Sequence, residues 1–110
     1  MAGGAQPGPV IHEASLAGGP SGIVNAGRVL AFDEAVRART AGGDVVVCGD
    51  DHKENQRLAW RIEEAVGRAS RPQPPHSGRA GPRALPHYHQ LSRVPPGHTF
   101  YETANLRARK

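Results

Sequence analysis

Hydrophobic positions along this chain change period from one stretch to the next, and each period predicts a different element. Between Ile23 and Thr40 the apolar residues Val29, Phe32 and Val36 recur three and four positions apart, with Ala35 beside them, and Gly42-Gly43 close the run. That spacing keeps side chains on one helical face, so it predicts a short amphipathic helix from about Phe32 to Thr40, with Arg37 and Arg39 turned to solvent. The next run, Val45-Val46-Val47-Cys48, is β-branched without alternation and bounded by Gly43 and Gly49. It reads as a central strand buried on both faces.

A second helix follows. Asp51 stands where a carboxylate can accept the first free N–H groups, and Glu54 lies three residues on, as in a capping box. Leu58, Ile62, Ala65 and Val66 then form an apolar stripe that ends at Gly67. Arg61, Glu64 and Arg68 have the spacing of ion pairs on its exposed side, while Trp60 falls off the stripe. Farther on, Leu85 to Leu91 and Gly97 to Glu102 read as short strands separated by Ser92-Arg93-Val94-Pro95-Pro96, compatible with a hairpin whose loop is slightly longer than the tightest types.

The remaining stretches are punctuation. Residues Met1 to Gly22 carry Gly and Pro every few positions, with only Val10, Ile11 and Leu16 to anchor them, and are expected to be a flexible leader with His12 in solvent. Such a segment is the kind that joins a terminal module to a longer parent. Ser70 to Pro86 holds five prolines and three arginines and must wrap the surface. Asn105 to Lys110 reads as a frayed basic tail. The expected architecture is therefore α+β: a small antiparallel or mixed sheet on one long and one short helix, in a single domain over residues 23–110 behind a leader over 1–22.

Charge and composition narrow the partners. The chain has a net charge of +4, carried almost wholly by arginine, since Lys53 and Lys110 are its only lysines. Guanidinium groups bind phosphate and carboxylate through a planar fork, so RNA, DNA or an acidic protein is the expected partner. The abundance of Ala, Gly, Pro and Arg is equally what a GC-rich genome produces. Cys48 is the sole cysteine, which excludes an internal disulfide and a cysteine-based zinc cluster. No run approaches the roughly 18 apolar residues of a membrane span, and the start lacks the blocks of a signal peptide, so a soluble chain with no membrane partner is expected.

Candidate chemistry collects near the C-terminus. In an extended Pro86-His87-Tyr88-His89, alternation puts His87 and His89 on one face and Tyr88 on the other. The next strand adds His98, Thr99 and Tyr101. Metal-independent RNA cleavage needs a base for the ribose 2′-hydroxyl, an acid for the leaving oxygen and donors for the charged phosphorane. Imidazole suits the first two roles because its pKa is near neutrality, and arginine and hydroxyl groups suit the third. The candidate site is thus His87 or His89 as base, His98 as acid, Thr99 and Tyr101 as donors, and Arg83 and Arg93 as phosphate clamps, with no metal or other cofactor required.

Other readings of the same residues stay open. Surface histidines are often ordinary hydrogen-bonding groups, and His87, His89 and either His98 or His76 have the nitrogens of an open zinc site. Asp50 and Asp51 are expected as helix caps before magnesium ligands, and the glycines around them lack a phosphate-loop ending. Cys48 is expected as a core residue rather than a nucleophile.

A Gly/Pro-rich leader, then GGDVVVCG, the helix ENQRLAWRIEEAVG and the block ALPHYHQLSRVPPGHTFYE together resemble the C-terminal toxin modules of bacterial polymorphic toxin systems. The resemblance is one of layout, over roughly residues 23 to 104, and transfers no catalytic motif. It implies a nuclease-type toxin, secreted within a larger parent, acting in a target-cell cytoplasm and neutralised by an immunity protein, which the basic charge makes acidic; the histidine chemistry makes RNA its expected substrate. The competing expectation is a non-catalytic basic module that binds an acidic protein, or a metal-dependent nuclease.

Overall fold

The computed structural model describes residues 8–16, 23–75 and 84–110. Five strands and two helices follow one another as β1 (Val10–Leu16), β2 (Val24–Leu30), α1 (Phe32–Thr40), β3 (Val45–Cys48), α2 (His52–Val66), β4 (His87–Tyr88) and β5 (Thr99–Tyr101). The strands form one mixed sheet in the order β2-β1-β3-β5-β4. The fold is α+β, as the periodicities predict. β3 lies at the centre, with Val45, Val46 and Val47 all at 0% exposure, and pairs antiparallel with β1 and parallel with β5.

Both helices pack on one face of the sheet, around Ile11, Leu30, Ala35, Val45, Val47, Ala59, Ile62, Tyr88 and Tyr101. The opposite face is a smaller cluster of Val24, Val46, Cys48, Leu85, Phe100 and Ala108. Strand alternation divides β5 between them: Thr99 and Tyr101 go to the helix face, Phe100 to the other.

Four expectations need correction. The leader was expected to be flexible through Gly22, yet Val10–Leu16 is a strand hydrogen-bonded on both sides, to β2 and to β3. Only Ile11 in it is fully buried, so its pattern is too sparse to stand out among glycines and prolines. The rest of that leader, residues 1–7 and 17–22, lies outside the described residues. Second, the tail is not frayed: Arg109 pairs with Asn25, donating to Val24 at 2.8 Å and accepting from Ala26 at 2.7 Å, so it extends the sheet beyond β2.

Third, α2 presents Asn55, Ala59, Ile62 and Glu63 to the core, a face rotated from the Leu58, Ala65, Val66 stripe; Ala65 is exposed. Polar Asn55 and Glu63 hide this face from any hydrophobicity count. Asp51 caps the helix as expected, accepting from the N–H groups of Lys53 and Glu54, while Glu54 turns to Arg57 instead of back to the cap.

The fourth correction concerns Arg39, which is fully buried rather than solvated. Its Nε donates to Glu63 Oε2 at 2.6 Å and its Nη2 to Glu63 Oε1 at 3.2 Å, a two-pronged pair between α1 and α2. Nη1 donates to the carbonyls of Gly43 and Pro96, and Nη2 also to that of Gly97. Glu63 further accepts from the Thr99 hydroxyl and, at 2.7 Å, from the Gln90 amide. A buried ion pair survives only when its remaining hydrogen-bonding capacity is filled, and here backbone carbonyls and two neutral side chains fill it. The network fixes the loop before β5, and with it the position of His98.

Candidate histidine site

The antiparallel pairing of β4 with β5 sets His87 opposite Phe100 and Tyr88 opposite Thr99. The edge of β4 away from β5 is not left open. Gln73 exchanges backbone hydrogen bonds with His87, Ser70 donates to His89 and Leu91 to Arg68, so part of the proline-rich segment runs beside it. The resulting stretch from Ala84 to Gln90 is buried throughout.

On the face away from the helices, the imidazole of His87 in β4 meets those of His89, just after β4, and His98, just before β5. The rings of His87 and His98 stand edge to face with centroids 4.9 Å apart, and His89 lies 6.5 Å from His87. Phe100 forms the floor, 5.6 Å from His87 and 5.3 Å from His98. Access is unequal: His87 and His89 are 3% and 8% exposed, whereas the His98 side chain is 38% exposed. His89 Nδ1 lies 2.7 Å from the Gln90 carbonyl and His87 Nδ1 3.3 Å from that of Leu85, so each ring is oriented by backbone.

Asp44, the residue before β3, belongs to this group. Its Oδ1 accepts the backbone N–H of His98 at 2.8 Å and stands 3.5 Å from His98 Nδ1. Burial pushes the Asp44 carboxyl upward in pKa, but the His98 imidazole facing it at 3.5 Å and the backbone N–H of His98 outweigh it and hold the group below the ordinary carboxylate value. No local signal marks this contact, because the parallel register Val45↔Thr99 alone makes residues 44 and 98 neighbours.

The other expected site residues are placed differently. Thr99 is fully buried on the helix face and bonded to Glu63, and Tyr101 is buried there against Tyr88 and His52, its pKa pushed by burial to about 12. Neither hydroxyl is on the face that carries His87 and His98. Arg93 is exposed in the loop before β5 with φ of 68°, and Arg83 and His76 lie outside the described residues. The structure therefore brings together His87, His89 and His98, and separates them from Thr99 and Tyr101.

Away from the histidines, a cleft of about 670 Å³ opens at the start of α2 between Pro9, Gly49, Asp50, Asp51, His52 and Asn55. Its acidic residues are engaged: Asp51 caps the helix and Asp50 accepts from Arg107 at 3.2 Å. Among the described residues no group of three or more His, Cys, Asp or Glu side chains is placed to hold a metal ion, and no helix is long and apolar enough to cross a membrane. Cys48 is buried, and burial, with the Glu102 carboxylate nearby, pushes its thiol to about 12, which makes it a core residue.

The fold and site define a small α+β domain with a histidine cluster on one sheet edge. Comparison of the chain with protein-family models, curated proteins and solved structures gave no match.

Proposed function

We propose that this protein is a metal-independent ribonuclease of the toxin type, with the histidine cluster as its catalytic centre. The observation that carries the reading is the meeting of His87 and His98 across β4 and β5, 4.9 Å apart, with His98 open to solvent and beside a carboxylate. In the reaction His87 or His89 removes the 2′-hydroxyl proton, and the 2′-oxygen attacks phosphorus. The bond to the 5′-oxygen breaks, His98 protonates that leaving oxygen, and a 2′,3′-cyclic phosphate remains. Arginine, with Arg83 and Arg93 as candidates, supplies the phosphate contacts in place of Thr99 and Tyr101.

The wider reading follows the resemblance in layout: a module secreted within a larger parent, acting on RNA in a target cell and held inactive by an acidic immunity protein. A second reading has its own support in the low exposure of His87 and His89, which suits a structural cluster inside a basic module that binds an acidic protein.

Incubation with single-stranded RNA in excess chelator separates the two. The ribonuclease produces cyclic-phosphate ends without added metal, and His98→Ala abolishes them while the circular dichroism spectrum is unchanged. Cleavage that persists in His98→Ala, or no cleavage by the unaltered protein, removes the histidine reading; cleavage lost only in chelator replaces it with a metal-dependent nuclease.

A further inference from the structure

The contact between Asp44 and His98 says which nitrogen of the exposed imidazole is available for chemistry. Nδ1 of His98 is buried and has no satisfied hydrogen bond among the described residues; Asp44 Oδ1 faces it at 3.5 Å, beyond a formed hydrogen bond but within ion-pair range. The same oxygen is anchored by the backbone N–H of His98, so carboxylate and ring are held in register by the β3–β5 pairing.

A neutral imidazole carries its proton on one nitrogen and a lone pair on the other. With the proton on Nε2, the Nδ1 lone pair of His98 would face a carboxylate oxygen, and a buried acceptor would be left without a donor. With the proton on Nδ1, the same approach becomes an N–H aimed at an anion, and a small rotation of the ring completes the bond. The groups around the ring agree with that choice. His87 and Phe100 present aromatic rings from β4 and β5, and Arg39 of α1 acts through space on Asp44, favouring its charged form.

We propose that Asp44 is a positioning residue that holds His98 in its Nδ1–H form, leaving Nε2 as the nitrogen that exchanges a proton with substrate. The proposal's catalytic half rests on the ribonuclease reading; its tautomeric half does not.

Long-range ¹H–¹⁵N spectra of the intact protein, recorded well above the imidazole titration range, read the tautomer directly. The expected result is a protonated Nδ1 and a bare Nε2 on His98 in the unaltered chain, with Asp44→Ala moving the ring toward the Nε2–H form that predominates in free imidazole. A protonated Nε2 on His98 in the unaltered chain overturns the proposal without any variant having to fold. On RNA, Asp44→Ala lowers kcat by about ten- to a hundredfold, a part of the roughly 10²–10⁴-fold that a general acid contributes, with KM within about twofold. An unchanged kcat in Asp44→Ala overturns the catalytic half. Absence of cleavage by the unaltered protein overturns the ribonuclease reading instead, while the tautomer still decides what Asp44 does to His98.

Discussion

The residue whose replacement has the largest expected effect on stability is not at the site but behind it. Arg39 and Glu63 are both at 0% exposure, and removing either leaves the other charged and uncompensated in the core. Glu63→Ala is therefore expected to lower the unfolding free energy by about 3–5 kcal/mol in urea titration. Gly97 is constrained by the same network. Its φ is 102°, and a Cβ there would sit 2.6 Å from Arg39 Nη1 and 2.9 Å from the Gly43 carbonyl. Gly97→Ala should destabilise by about 2 kcal/mol and disturb His98 next to it.

Acid and base stability are set by different buried groups. Burial raises the Glu102 carboxyl, but the N–H of Ala108, the Lys110 ammonium and the N–H of Gly49 together hold it below its ordinary value; Asp44 is lowered likewise. A carboxylate lowered in the folded state contributes stability above its unfolded pKa, about 4, and loses it as pH falls through the folded value. Thermal scans should show the protein weakening below about pH 4, and less steeply in Glu102→Gln. Cys48 and Tyr101 act at the other end. With both pushed to about 12, the folded chain keeps protons that the unfolded chain releases from about pH 9 and 10 upward, so stability falls as pH rises through that range.

At the scale of elements, the two chain segments that flank the sheet carry more of the fold than their composition suggests. β1 joins β2 to β3, so deleting the residues through Leu16 should abolish the cooperative unfolding transition seen by circular dichroism. Removal of a flexible leader would leave the midpoint unchanged. The tail closes the second face: Ala108 is buried against Val46 and Phe100's cluster, and Glu102, fully buried, accepts from Gly49, Arg107, Ala108 and Lys110. A chain shortened after Asn105 loses most of those donors and should lose about 3–5 kcal/mol, the cost of stranding a buried carboxylate.

For the molecule as a whole, the proposed ribonuclease function combined with the arginine-rich charge of +4 makes a prediction about salt. Each phosphate neutralised by an arginine releases counterions, so affinity in filter-binding or fluorescence assays should fall linearly on logarithmic axes as salt rises, and Arg93→Ala should make that slope shallower if this residue clamps phosphate. A slope that does not change would move the clamp to other arginines.

What the sequence determined alone was whatever depends on near neighbours. The helix at Phe32–Thr40, the capped helix at His52–Val66 and the buried valine strand all follow from periodicity, capping chemistry and turn residues within a few positions. The tertiary structure alone decided what depends on which distant segments touch. It made a strand of Val10–Leu16 by supplying hydrogen-bonding partners on both edges, and it buried Arg39 by supplying Glu63. It also turned Thr99 and Tyr101 away from the histidines and brought Asp44 to them across 54 residues of chain. Local sequence encodes backbone preference and apolar rhythm. A buried polar contact between remote residues leaves no rhythm, because its stability comes from partners that only the closed fold assembles.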